Sequence, residues 1–204
     1  MTELHRALSE IRSIRGQLAR GMEFRAYGPT AVALSGLLAF LAALTQRRLL
    51  GTSVPGLSSY LAIWVPTAVA SLILIVVEAQ LRARRVHAGL APQMMRAALE
   101  QFLPPLSAGL LLTIVLALTA PGSCWVLPGL WQIVFSLGVF ASCRLLPPPI
   151  FAVGIWYLAS GLACLVIGAH GGAFSAWAMG LPFGVGQLLV ALCLRFGYRD
   201  DESL

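Results

Sequence analysis

Three long apolar runs in the second half of the chain limit what this sequence can fold into. Arg144 is the only formally charged side chain between Glu100 and Arg195, and short links join the runs. A soluble core can contain one such run, but three in series would leave large apolar faces in water. About 20 consecutive apolar residues are what an α-helix needs to cross a bilayer. The second half therefore predicts membrane-spanning helices, and the first half must supply their partners.

The composition of the whole chain supports the same conclusion. Of its 204 residues, 58% are hydrophobic and 11% are charged, whereas a soluble domain carries about 25% charged residues. At roughly 20 residues per crossing, this length accommodates about six helices and no separate soluble domain. The predicted fold class is an all-α integral membrane protein, with an N-terminal amphipathic helix followed by one bundle of six transmembrane helices over residues 27–198.

Proline, glycine and polar residues set the predicted boundaries of the spans. Gln46–Gly56 is predicted to be a loop, and Pro66 is predicted to kink the second span. Pro104 and Pro105 are predicted to separate a short helix from the third span. The predicted spans are about residues 29–44, 58–80, 104–120, 128–143, 150–168 and 174–196, and a tail follows at 199–204.

Residues 1–26 are predicted to form an amphipathic helix. Its apolar residues recur at helical spacing, while arginines fall elsewhere around the helix. The apolar positions are Leu4, Leu8, Ile11, Ile14, Leu18 and Met22. Two interpretations stay open. The helix lies on anionic lipid with its arginines among the headgroups, or it docks a cytoplasmic protein or a second copy of this chain.

The placement of the basic residues predicts the orientation of the bundle. All 14 basic residues are arginine, and the net charge is +6. With a cytoplasmic N-terminus, 12 arginines lie in inner segments and two, Arg47 and Arg48, lie in an outer loop, in agreement with the positive-inside rule. The predicted location is a bacterial inner membrane with both termini in the cytoplasm. Because topology explains the positive charge, no nucleic-acid partner is predicted.

Two rows of small residues predict close packing between helices. Small side chains at every fourth position let another helix backbone approach closely. The rows are Ala31, Ser35, Ala39 and Ala43 on the first span, and Ala176, Gly180 and Gly184 on the sixth. They raise the hypothesis of a homodimer formed through one of the rows.

Glu78 is the only acidic residue within a predicted span. Arg82 stands four residues later, so an ion pair near the inner interface is favoured over a functional carboxylate. At the other end of the same span, Tyr60 and Trp64 are predicted to belong to an aromatic belt at the membrane surface.

Polar side chains predicted inside the bilayer are the candidates for a functional site. Gln132 and Gln187 matter most, because an amide has several hydrogen-bonding positions to satisfy in hydrocarbon. One interpretation is hydrogen bonding between helices, and the other is a polar midplane cleft lined by both glutamines and Tyr157. No metalloprotease, nucleophile-elbow or phosphate-loop motif occurs in the sequence, so no catalytic residue, cofactor or metal is predicted. Cys124 and His170 are placed at the outer face without an assigned role.

Most of the polarity lies at the inner membrane surface and little of it in the spans. The sequence therefore favours a non-enzymatic accessory, regulatory or assembly component whose basic cytoplasmic surface engages lipid or a protein partner. That surface comprises Arg6, Arg12, Arg20, Arg82, Arg84 and Arg85. The alternative is a small-molecule or ion transporter or channel that uses the midplane cleft. An enzyme acting on lipid or quinone ranks third.

Overall fold

A computed structural model describes residues 28–51, 56–86, 91–143, 148–172 and 174–201, with side chains except at 82–86, 91–101 and 197–201. Within these ranges the chain forms six helices long and apolar enough to cross a membrane, which confirms the predicted all-helical, six-span fold class. The helices are α1 Pro29–Leu50, α2 Leu57–Val86, α3 Ala91–Thr119, α4 Leu127–Ser142, α5 Ile150–Ile167 and α6 Ala176–Asp201. The predicted amphipathic helix at 1–26 lies outside the described residues.

Two predicted breaks are wrong, because the helices continue through them. α1 extends to Leu50, so Gln46 and the two arginines after it are helical; Gly51, with φ +64°, ends the helix. α3 runs without interruption through Pro104 and Pro105. Each proline removes one amide donor and its ring crowds the carbonyl of residue i−4, but such a site can bend a helix without ending it.

The helices pack in chain order into a ring. Each described helix contacts the next one along the chain, and α6 returns to contact α1. The ring has two ends. α1 ends and α2 begins at the "Gly51 end", whereas α1 begins beside α2 at the "Gly28 end". Among the described helices, the most extensive contacts are those of α1 with α6 and of α4 with α5.

Small residues form both of these extensive interfaces. Between α1 and α6, a Cβ added at Gly36 would lie 2.9 Å from the Gly184 carbonyl oxygen. Between α4 and α5, a Cβ at Gly129 would lie 2.8 Å from the Gly161 oxygen. The two predicted small-residue rows thus pack against each other within one chain, and their members are buried. These rows are not exposed for contact with a second copy.

α2 and α3 lie at the periphery of the ring. In their most apolar stretches only 11% and 6% of residues are buried, compared with 33–44% in the other four described spans. α2 and α3 also contact each other only slightly. The bundle therefore consists of a closely packed core (α1, α4, α5 and α6) flanked by what we call the α2–α3 hairpin.

Candidate functional site

Gln132 on α4 is fully buried and joins α4 to α6. Its Nε2 donates to the Ala178 carbonyl oxygen at 2.9 Å and to the Pro128 oxygen at 3.0 Å. In a regular helix the Ala178 carbonyl would accept from the amide of residue 182, but that residue is Pro182 and has no N–H. The Gln132 side chain therefore supplies the donor that the proline removes. This agrees with the interpretation of Gln132 as a hydrogen-bonding link between helices.

Gln46 joins α1 and α2 to the start of α6 at the Gly51 end. Its Nε2 donates to the Phe174 carbonyl oxygen at 2.7 Å, and its Oε1 accepts from the Trp64 indole at 2.6 Å. Gln46 is not among the residues predicted from the sequence, because a glutamine followed by two arginines resembles a loop. A signal was nevertheless present, since Gln46 stands one helical turn after Ala43 and extends the small-residue row of α1.

The predicted aromatic belt at the start of α2 is wrong. Tyr60 and Trp64 are 0% and 3% exposed, so they face the bundle and not the membrane surface. The Tyr60 ring lies 4.9 Å from the Phe174 ring and 6.4 Å from the Trp131 ring, measured between centroids. Tyr60 therefore belongs to the buried contact of α2 with α4 and α6.

The three residues of the predicted midplane cleft occupy different surroundings. Tyr157 is buried among aromatic rings, with Phe135 at 4.7 Å and Phe183 at 5.2 Å. Gln187 is half-buried on the side of α6 that faces α1, where its Cβ would lie 3.1 Å from a Cβ added at Gly36. Gln187 also lies nine residues beyond the Ala178 carbonyl, about 13 Å along α6 at 1.5 Å per residue. The structure does not bring Gln187 to Gln132.

Three polar atoms among the described side chains are buried without a protein hydrogen-bond partner. They are Tyr60 Oη, Gln132 Oε1 and Tyr157 Oη. Buried polar groups are normally satisfied, since an unsatisfied one costs about 1–3 kcal/mol. These atoms are therefore the places within the described bundle where a bound molecule would gain most.

Glu78 on α2 stabilises the start of α1. Its carboxylate accepts a hydrogen bond from the Ala31 backbone N–H, in the first turn of α1. A negative charge is favourable there because the first amides of a helix lack partners and carry partial positive charge. Gly28 makes room, since any side chain at that position would overlap the carboxylate. The Arg82 side chain, predicted to pair with Glu78, lies outside the described part of the chain.

The remaining sequence candidates are described only in part. No group of three or more His, Cys, Asp or Glu side chains that could hold a metal occurs within the described ranges. Cys124 is buried in the connection between α3 and α4, and its predicted place at the outer face stays a prediction. His170 is exposed, and its Nδ1 lies 2.8 Å from the Val166 oxygen. Of the predicted basic surface, Arg6, Arg12 and Arg20 lie outside the described residues, and Arg82, Arg84 and Arg85 are described only by their backbone in α2.

Comparison with known proteins finds no family model that matches this chain, no similar curated protein and no similar solved structure. Function must therefore be inferred from packing and from the buried polar groups. The groups clustered at the Gly51 end are amides, indoles and a phenol, which exchange no proton near neutral pH. They are suited to hydrogen bonding between helices and to holding neutral polar molecules.

Proposed function

We propose that this protein is a non-enzymatic accessory, regulatory or assembly component of a bacterial inner membrane, with both termini in the cytoplasm. It engages its partner through the α2–α3 hairpin and through the basic cytoplasmic surface defined above. The observation that carries the proposal is the low burial of the hairpin. Only 11% of the apolar stretch of α2 and 6% of that of α3 are buried.

The exposed side of the hairpin is apolar. Large apolar side chains on α3 are more than half exposed; they include Leu103, Leu110, Leu111, Val115 and Leu118. Helices associate in lipid through close packing and polar contacts, because apolar burial alone does not distinguish protein from lipid. Positive charge at the membrane surface can select a partner, because it attracts negatively charged groups. Arg82, Arg84 and Arg85 lie in the last turns of α2 and would attract an acidic partner or an anionic leaflet.

Site-specific photocrosslinking in living cells tests this proposal. A photoreactive residue is placed at Val69 or Leu110 on the hairpin, and at Leu162 on α5 as a control that is similarly exposed. We expect a discrete protein adduct from the two hairpin positions and lipid adducts from Leu162. Replacing Arg82, Arg84 and Arg85 by glutamine is expected to weaken the protein adduct. The same change at Arg47 and Arg48, at the other end of the bundle, is expected to leave it intact.

Two results would contradict the accessory role. One is a set of lipid adducts only, identical at the hairpin and at Leu162. The other is a protein adduct whose yield is unaffected by the triple arginine replacement, since the basic surface would then have no part in binding.

A second candidate is permeation of a small molecule or an ion. It is favoured by the unpartnered Gln132 and Tyr157 oxygens within the described bundle. The purified protein in liposomes would then show flux, and that flux, measured per folded protein, would fall in Gln132→Leu and Gln187→Leu variants. Lack of flux in the unaltered protein, together with lower thermal stability of the variants, would leave the glutamines with a structural role.

A further inference from the structure

Two unpartnered polar atoms belong to one buried region at the Gly51 end. Tyr60, in the first turn of α2, and Gln132, in the second turn of α4, are both 0% exposed. Neither Tyr60 Oη nor Gln132 Oε1 has a protein hydrogen-bond partner. Two such atoms in one region would destabilise the fold if they stayed unsatisfied, because buried polar groups are normally hydrogen-bonded.

Neighbours shared by Tyr60 and Gln132 place them in the same region. Met179 of α6 belongs to the same buried cluster as Tyr60, and its sulfur lies 3.9 Å from Gln132 Nε2. Cys164 of α5 lies near both Gln132 and Tyr60. The ring of Trp131, which precedes Gln132, lies 6.4 Å from the Tyr60 ring, measured between centroids. Four helices thus enclose the two polar atoms.

The orientation of the Gln132 amide is fixed by its bonds. Its nitrogen donates to two carbonyl oxygens, those of Pro128 and Ala178. An amide turned by 180° would place its oxygen against both of these acceptors, which is unfavourable. Gln132 Oε1 is therefore an acceptor that needs a donor, and the Tyr60 hydroxyl is a donor that needs an acceptor.

We propose that a single water molecule bridges Tyr60 Oη and Gln132 Oε1 in this region. The water accepts from the tyrosine hydroxyl and donates to the glutamine oxygen, with the Cys164 thiol beside it. A neutral ligand that both donates and accepts is required, because none of the described side chains named at this site carries a charge to balance an ion. Water is the favoured source, since buried polar atoms that lack a protein partner are ordinarily satisfied by ordered water.

Tyr157 provides a matched control. Its hydroxyl is also buried and has no protein partner, but Phe135 and Phe183 surround its ring and Gly186 packs against it. A water molecule needs two or more polar partners, and these neighbours offer no unpartnered side-chain atom. We infer that this second site is dry.

The sign of a change in melting temperature tests the proposal. In Tyr60→Phe the ring remains and only the hydroxyl is lost. With a bridging water, the change breaks the bridge and leaves Gln132 Oε1 unsatisfied, so the melting temperature in detergent should fall by about 2–4 °C. In Tyr157→Phe an unsatisfied hydroxyl is removed, so the melting temperature should stay the same or rise. A Tyr60→Phe variant that is as stable as the unaltered protein, or more stable, would overturn the proposal.

Infrared difference spectra give a second test, whose first step uses only the unaltered protein. Exchange into water labelled with oxygen-18 should shift one O–H stretching band of a bound water. This band should be absent from Tyr60→Phe and present in Tyr157→Phe. The water would be excluded if the unaltered protein shows no isotope-sensitive band. It would equally be excluded if the band persists in Tyr60→Phe. A band that responds to the isotope label of an added alcohol, and not to labelled water, would mean that an alcohol occupies the site.

Discussion

At the residue scale, single polar side chains hydrogen-bond to backbone groups that would otherwise lack a partner in this bundle. Gln132 replaces the amide that Pro182 lacks, and Glu78 provides an acceptor for the first turn of α1. Gln46 similarly satisfies the Phe174 carbonyl just before α6 begins. In a bilayer, such side-chain hydrogen bonds matter because no water is present in the hydrocarbon region to bond an exposed carbonyl or amide.

We predict that Gln132→Leu destabilises the folded protein by about 1–3 kcal/mol, because the Ala178 carbonyl loses its donor in a buried site. Gln187→Leu is the matched control. Gln187 is also a glutamine, but it is half-buried on the side of α6 that faces α1. Its replacement should cost less than half as much. Unfolding monitored in detergent measures both, and equal losses would show that the link to Pro182 does not stabilise the fold.

The acceptor at the start of α1 leads to a second prediction. Glu78→Leu removes the oxygen that binds the Ala31 amide, and should reduce stability by about 0.5–2 kcal/mol, as loss of a helix cap does. Glu78→Gln keeps an acceptor but loses the charge, so its stability should lie between those of the unaltered protein and Glu78→Leu. Thermal unfolding of all three proteins decides the matter, and a glutamine variant as unstable as the leucine variant would mean that charge alone is important.

The sequence identified some of these residues but not what they contact. Gln132 stood out because an amide in hydrocarbon demands partners, yet its partner depends on α4 lying beside Pro182. Glu78 stood out as an acidic residue in a span, but Arg82 was the nearest partner along the chain, whereas the observed acceptor role joins residues 47 positions apart. The type of a residue shows that it needs a hydrogen-bond partner, but the identity of the partner depends on how the helices pack.

At the element scale, helical spacing located the interfaces better than it located the helix ends. The small-residue rows on the first and sixth spans do lie in interfaces, as expected from their spacing. The hypothesis of a homodimer was attached to the same rows because spacing does not reveal which surface faces them. The predicted breaks near Gln46 and Pro104 are wrong for a related reason. Polar residues and prolines suggest that a helix ends, but the sequence does not show the packing that extends it.

We predict that Gly180→Leu forces α1 and α6 apart. A Cβ at Gly180 would already lie within van der Waals overlap of the Ala43 Cβ, so the larger side chain should cost about 1–3 kcal/mol through overpacking. Ala163→Leu adds the same side chain to an exposed position on α5 and should change stability by less than about 0.5 kcal/mol. Denaturant titrations of both variants provide the comparison. A Gly180→Leu variant as stable as Ala163→Leu would contradict the close approach.

At the scale of the whole molecule, the six described spans place the two ends of the ring on opposite sides of the membrane. The arginine distribution predicts that the Gly51 end, with Arg47 and Arg48, faces outward. The fold alone is compatible with either orientation, because a ring of helices has no intrinsic inside and outside. Orientation is a property of the flanking charges.

Cysteine labelling tests this orientation. In a variant in which serine replaces the four native cysteines, Arg48→Cys should react with a membrane-impermeant maleimide in intact spheroplasts. Arg195→Cys, exposed at the other end, should react only after the membrane is permeabilised. The reverse pattern would mean that the protein has the opposite topology.

The contact of α1 with α6 also bears on how the protein is made. α1 leaves the ribosome first and α6 last, so the helix that covers Ala39 and Ala43 does not exist for most of the time that translation takes. During this interval lipid occupies the future interface, and insertion of α6 must displace it. A nascent chain stalled before residue 176 would expose the small-residue face of α1, which gives membrane quality control a feature by which to recognise unfinished copies.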